Sequence, residues 1–299
     1  MDPDRTQSPQ KMTLPALQEQ ARRGSKLVMV TAYDAPSAAL ADAAGIEIIL
    51  VGDSAGTTVL GLDSTVAVTL DEMLIFTRAA ARGARRALIV GDMPLGSYQI
   101  SEASAVENAI RFVKESGADA VKLEGAGRTL SRIGAILDAG IPVMGHIGLT
   151  PQSATLLGGY KAQGRTAASA RRLVDEAKAL ERAGCFCLVL EAIPPPVAAR
   201  ITETIGIPTF GIGAGPSCSG QVLVWHDLLG LIPGQKPRFV KTYADLAGVI
   251  RTALDEYVND VRRGTFPAES HTYGMPEAER QRFEDQPSPR TAKTEVPRA

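Results

Sequence analysis

Eight short apolar runs, rich in Val, Ile and Leu and not alternating with polar residues, recur along this chain with helix-patterned stretches between them. They are LVMVTAYD (27–34), IEIILVGD (46–53), ALIVGD (87–92), AVKLEG (120–125), IPVMGH (141–146), CLVLEA (187–192), PTFGIGAG (208–215) and VLVWHD (222–227). A strand exposed on one face alternates, so unbroken runs of this kind describe strands covered on both faces, as in parallel sheets. The intervening segments SEASAVENAIRFVKESGA and TAASARRLVDEAKALERAG are amphipathic, with Ser101 and Thr166 placed as N-caps and Gly117 and Gly184 as C-terminal caps. Strand–helix alternation repeated eight times predicts an α/β fold, a parallel (βα)8 TIM barrel. An open doubly wound sheet is the rival, but its dinucleotide fingerprint is missing: GIGAG (211–215) is G-x-G-x-G and comes late.

With 299 residues, 44% of them hydrophobic, the chain has material for one barrel-sized domain. The reading assigns 1–11 to a flexible N-terminus, 12–275 to the barrel with a C-terminal helical extension near 242–263, and 276–299 to a disordered polar tail. Two connections, 54–70 and 147–165, are long enough to be active-site loops.

Each of four acids sits where an apolar run meets a glycine or a turn: Asp53, Asp92, Glu124 and Glu191. In a barrel these positions gather at one mouth, and a carboxylate there is costly to desolvate unless chemistry uses it. Asp53, Asp92 and Glu124 come from neighbouring strands and suit magnesium or another divalent cation; each alone would also serve as a helix cap. Lys122 lies two positions before Glu124, so both face the same way, to meet a substrate anion or to form an ion pair. His146 closes the fifth run and is a candidate for substrate contact. Glu191, across the mouth, is a candidate general base. His226 is placed at the end of the eighth strand, and GIGAG is open to two readings, a phosphate nest or a close backbone approach.

A net charge of −1 and 5% aromatic residues argue against nucleic acid as a partner, and no apolar run is long enough to span a membrane. Three cysteines and three histidines lack zinc-site spacing, and the cysteines read as reduced buried thiols of a cytoplasmic protein.

The segments TAYDAPSA (31–38), VGDSAG (51–56), VKLEG (121–125), GHIGLTPQS (145–153), GGYKAQGR (158–165), VLEAIP (189–194), GIGAG and FPAESH (266–271) resemble the ketopantoate hydroxymethyltransferases of the phosphoenolpyruvate/pyruvate barrel superfamily. The resemblance runs from about 12 to 274 and implies magnesium-dependent transfer of a one-carbon unit from 5,10-methylenetetrahydrofolate to 3-methyl-2-oxobutanoate, on the route to pantothenate. It implies metal-associated acids at Asp53, Asp92 and Glu124, keto-acid contacts from Ser54, Asp92 and Lys122, proton transfer by Glu191 and a homo-oligomer, often a decamer. The chain departs from the family pattern at Leu95, Gly91, Phe76 and Ser219, and a smaller Leu95 beside Asp92 predicts a roomier pocket. A lyase or mutase of the same superfamily and a non-catalytic scaffold are the competing readings.

Overall fold

A computed structural model describes residues 10–286 except 233 and 235. Two compact units divide the chain, Met1–Asp245 and Leu246–Ala299. The first is the expected barrel. Its strands are β1 (Leu27–Thr31), β2 (Ile48–Val51), β3 (Leu88–Asp92), β4 (Ala120–Glu124), β5 (Val143–Gly148), β6 (Cys187–Glu191), β7 (Thr209–Ile212) and β8 (Gly220–Leu223). All neighbours are parallel and β8 pairs with β1, closing the sheet.

The two-residue period of a strand divides its side chains between two cores. One set, including Ile49, Val51, Ile89, Val121, Leu123 and Leu188, packs outward against the helices. The other, including Met29, Ile48, Val90, Met144 and Phe210, fills the barrel interior. The helix Leu14–Arg22 and the segment before it join the interior cluster through Leu17 and Met12. Lys11 anchors that segment at the start of β3 and β4, donating to the Ala87 carbonyl at 2.8 Å and pairing with Asp119 at 2.7 Å. The N-terminal end of the barrel is therefore closed, and residues 1–9 of the anticipated flexible segment lie outside the described residues.

The caps form as the sequence indicates. The hydroxyls of Ser101 and Thr166 accept the N–H groups of Ser104 and Ser169, and Gly117 and Gly184 end their helices in the left-handed conformation. Gly91 has a tertiary reason: a Cβ there would lie 2.4 Å from the buried Phe112 ring.

The eighth strand departs from expectation. It begins two residues early, at Gly220, and stops at Leu223, while Trp225–Leu228 forms a short helix that takes His226 off the strand. Gly220 permits this register because a Cβ there would lie 2.5 Å from the Leu27 carbonyl and 2.8 Å from the Phe210 ring. The apolar VLVW run suggested a strand, but only its first half is in the sheet.

The second unit contains the anticipated extension as the helix Leu246–Arg263, with Phe266 against the Tyr257 and His271 rings at 5.7 and 5.2 Å. Residues Glu277–Glu284, assigned by composition to the disordered tail, form a helix with Glu277–Arg280 and Glu279–Arg282 pairs, and 287–299 lie outside the described residues. No helix among the described residues is long and apolar enough to cross a membrane.

Candidate active site

Strand register assembles a polar belt at the C-terminal end of the barrel. Asp92 of β3 lies opposite Lys122 of β4, and Glu124 of β4 lies opposite His146 of β5. Glu191 is the last residue of β6, opposite Gly148. Asp53 and Ser54 follow β2 at the start of the short helix Ala55–Thr58. Asp53, Ser54, Asp92, Lys122, Glu124, His146 and Glu191 line one cavity of about 200 Å³. The seven positions singled out in the sequence are thus brought together.

Lys122 is the hub of the charges. Its ammonium donates to both Asp92 oxygens at 2.7 and 2.8 Å, while the nearest Glu124 oxygen is 3.7 Å away. Its principal partner is therefore Asp92, across the strand pair, rather than Glu124 on its own strand. Asp92 Oδ2 also accepts the Asp53 N–H at 3.1 Å. Burial pulls the lysine towards neutrality, but Asp92, Glu124 and Asp53 outweigh it and hold the amine above its ordinary range. Burial, followed by the Asp92 charge, pushes Asp53 well above the usual carboxylate range, against the pull of Lys122. Burial likewise raises Asp92 although Lys122 opposes it. For Glu124 the burial effect is overcome by His146 and Lys122, and its carboxyl is held low.

His146 lies between two acids. Its Nδ1 is 3.3 Å from Glu124 Oε1 and its Nε2 is 3.2 Å from Glu191 Oε2, both off the hydrogen-bonding line. Burial and Lys122 favour the neutral ring, yet the two carboxylates raise it to about 9, so it is protonated at neutral pH. Glu191 is therefore in contact with a cation, and the residue after it, Ala192, is held at φ 48°, in the left-handed region, between backbone bonds to Ile212 and Gln163. Ser54 is positioned by the Tyr33 hydroxyl at 2.8 Å.

The donor set fits a divalent cation. Four acids, Asp53, Asp92, Glu124 and Glu191, share the cavity with the cations Lys122 and His146, so acids outnumber cations, and Glu124 Oε1 is a buried acceptor with no hydrogen-bond donor. Among the described residues, no three His, Cys, Asp or Glu side chains close on a common point. A hard cation that takes one or two carboxylates and completes its shell with water and substrate oxygens needs no such cage.

Sequence reasoning missed several residues here. Gln152 and Tyr98 tie the acids together, and Asp227, Val224 and Phe239 also line the cavity. His226 instead stacks on Tyr33, with ring centroids 5.6 Å apart, and burial lowers its basicity. The glycines of GIGAG serve close approach: Cβ atoms on Gly213 and Gly215 would lie 2.7 Å from Phe239 and Pro195. Leu95 is 40% exposed and does not line the cavity, so it does not enlarge the pocket.

A closed parallel barrel with convergent acids and a buried lysine at its C-terminal mouth defines a barrel enzyme equipped for anionic, oxygen-rich substrates. Comparison with known proteins gives the family. The model of ketopantoate hydroxymethyltransferase matches residues 11–269, and the chain belongs to that family. A 3-methyl-2-oxobutanoate hydroxymethyltransferase of Carboxydothermus hydrogenoformans is 53% identical over 265 residues, covering 89% of this chain and 96% of the relative. A mitochondrial relative of the same name (number 1) from Arabidopsis thaliana is 52% identical over 269 residues, covering 88% of this chain and 78% of that protein. Among solved structures, phosphonopyruvate hydrolase aligns with a TM-score of 0.57 at 13% identity, covering 92% of this chain and 96% of that one. A 2,3-dimethylmalate lyase aligns with a TM-score of 0.55 at 17% identity, covering 92% and 95%. At such identities these two show the fold alone, whereas the family match settles against the lyase, mutase and scaffold readings. The chain is a transferase of hydroxymethyl groups.

Proposed function

We propose that the enzyme condenses 3-methyl-2-oxobutanoate with the one-carbon unit of 5,10-methylenetetrahydrofolate to give 2-dehydropantoate, using Mg2+ or another divalent cation. The observation that carries this reading is the placement of a buried acid–lysine cluster and a separate carboxylate, Glu191, in one cavity of about 200 Å³, a volume suited to a small keto acid. Related support comes from a phosphonopyruvate hydrolase structure described as a complex with oxalate and Mg++, which has the same fold at 12% identity (TM-score 0.56, covering 92% of this chain and 96% of that one).

Asp53 and Asp92 would hold the cation, with Glu124 reaching it through water. When bound, the cation supplies Lewis-acid stabilisation of negative charge on the keto acid's oxygens. Lys122 presents a fixed positive charge to the same oxygens and needs no reorganisation as charge develops. Ser54 offers a hydroxyl to the substrate carboxylate. A carbon beside a ketone is a weak acid: a gap of about ten pKa units between it and its base is worth roughly 14 kcal/mol. Glu191 takes the proton from C3, and the bonding pair moves to the carbonyl to give an enolate. His146, charged and in contact with Glu191 Oε2, keeps that carboxylate in place. Water hydrolyses the two C–N bonds of the one-carbon unit, so that tetrahydrofolate leaves with a proton on each nitrogen and the carbon remains at the formaldehyde level with the oxygen of water. The enolate carbon adds to that carbon, the C–O π bond opens to an alkoxide, and the proton held by Glu191 returns to it to give the hydroxymethyl group. No covalent bond to the protein is formed. We further assign the protein to the cytoplasm, where its three buried reduced thiols are at home, and to a homo-oligomer such as a decamer, to which the exposed apolar side chains of the helix Leu246–Arg263 are suited.

The test is exchange of the C3 proton in deuterated water, with and without cation and folate. Exchange should require the cation, and Glu191→Gln should slow it by about 10²–10⁴-fold. Undiminished exchange in that variant would remove Glu191 from the role, and product formation at the normal rate by Asp53→Asn would remove the metal.

A further inference from the structure

From residue 151 to residue 163 the loop after β5 has one buried residue, Gln152. Its amide nitrogen donates to Asp53 Oδ2 and to the Met93 carbonyl, both at 3.0 Å. Its backbone N–H donates to Glu124 Oε2 at 3.0 Å. Its oxygen accepts from the Tyr98 hydroxyl at 2.8 Å. That hydroxyl itself accepts the Glu124 N–H at 3.2 Å, so its proton is directed at Gln152. The orientation of the amide is set by two neighbours: the Met93 carbonyl can only accept, and the Tyr98 hydroxyl, already accepting from Glu124, has its proton to give. One residue from the loop after β5 thus reaches, by its side chain, the segments that follow β2 and β3 and, by its backbone N–H, the last residue of β4.

We propose that Gln152 is a positioning residue that makes closure of the 149–165 loop and loading of the acid cluster with a divalent cation a single event; this rests on the metal reading above. The physical link is geometry. Gln152 holds Asp53 Oδ2 through its amide and Glu124 Oε2 through its backbone N–H, so the loop's anchor grips two of the acids that a divalent cation would draw together. A cation that fixes those two carboxylates fixes the acceptors on which the closed loop depends. Linkage makes the effect reciprocal: a loop that closes more tightly when the cation is bound must in turn tighten cation binding. The amide also fixes the rotamer of Asp53, leaving its other oxygen for the cation.

The test uses Mn2+ alone, without substrate. Its affinity is read from the electron paramagnetic resonance of free Mn2+, and loop closure from tryptic cleavage after Lys161 and Arg165, both exposed. In the wild-type protein Mn2+ should slow cleavage at least tenfold. In Gln152→Ala, and in the isosteric Gln152→Glu, which replaces the donor with an acceptor facing Asp53, the Kd should rise at least tenfold. Saturating Mn2+ should then give no protection. Tyr98→Phe, which deletes one hydroxyl, should shift both readouts in the same direction, and serves if a Gln152 variant does not fold. Wild-type affinity and protection in all three variants would overturn the coupling while leaving the metal reading intact. Failure of Mn2+ to bind the wild-type protein would overturn both.

Discussion

The two ends of the barrel are built from the same strands and have opposite characters. At the N-terminal end, inward positions such as Leu27, Ile48 and Leu88 join Leu17 and Met12 in an apolar plug. Four residues further along β3, from Leu88 to Asp92, the interior has become a belt of buried charge. On β4 the change from Ala120 to Lys122 takes a single inward step. Stability and chemistry therefore share strands but not layers. The plug gains from burial of area, whereas the belt is held by charges that each depend on a partner.

Lys122→Met should show how far the belt also contributes to stability. It leaves Asp92 and Glu124 buried without their cation, and should cost about 3–5 kcal/mol in denaturant unfolding. Phe210→Ala, in the plug, should cost a similar ~3–5 kcal/mol by opening a cavity. The two then differ in function: the folded fraction of Phe210→Ala should keep its C3 exchange rate, and that of Lys122→Met should lose it. Equal loss of exchange in both would end the division into layers. Asp53→Asn sharpens it from the other side. Removing a buried carboxylate that repels Asp92 should stabilise the cation-free protein by about 0.5–2 kcal/mol while weakening Mn2+ binding, the trade expected of a functional residue. A destabilised, fully active variant would reverse that assignment.

The smallest effect belongs to a structural acid outside the belt. Asp42 accepts the N–H groups of Arg85, Arg86 and Ala87 at the entry to β3, and although burial raises its carboxyl these bonds outweigh it and hold it below the ordinary value. A carboxyl held low in the folded state adds stability above its unfolded pKa, near 3.9, and loses it as the pH falls through the folded value. Asp42→Asn should therefore cost about 1–2 kcal/mol at pH 7, and the gap from wild type should close below about pH 4. A pH-independent difference would show that the carboxylate charge is not the cause.

Much of this was legible in the sequence because it is local. An apolar run ending in an acid marks both a strand and its end, and Ser101, Thr166, Gly117 and Gly184 mark helix termini within a few residues of themselves. What was not legible depends on register between strands. No spacing within one segment says that Lys122 will face Asp92 or that His146 will touch both Glu124 and Glu191. Strand β8 was misplaced because Gly220, which lacks an apolar signal, is what lets it approach β1. Gln152 was quoted within a specific motif but given no role, since a loop residue has no periodicity and its partners lie on three other segments.

The burial of Lys122 has a consequence for the reactivity of the whole protein. Amines are acylated through their neutral form by reagents that must reach them, and this amine is 3% exposed and is held as an ammonium ion by its neighbours. In the native protein it should stay unlabelled while exposed lysines such as Lys161 react. Its slow modification would then report the rate at which the barrel opens, a clock already present in the sequence.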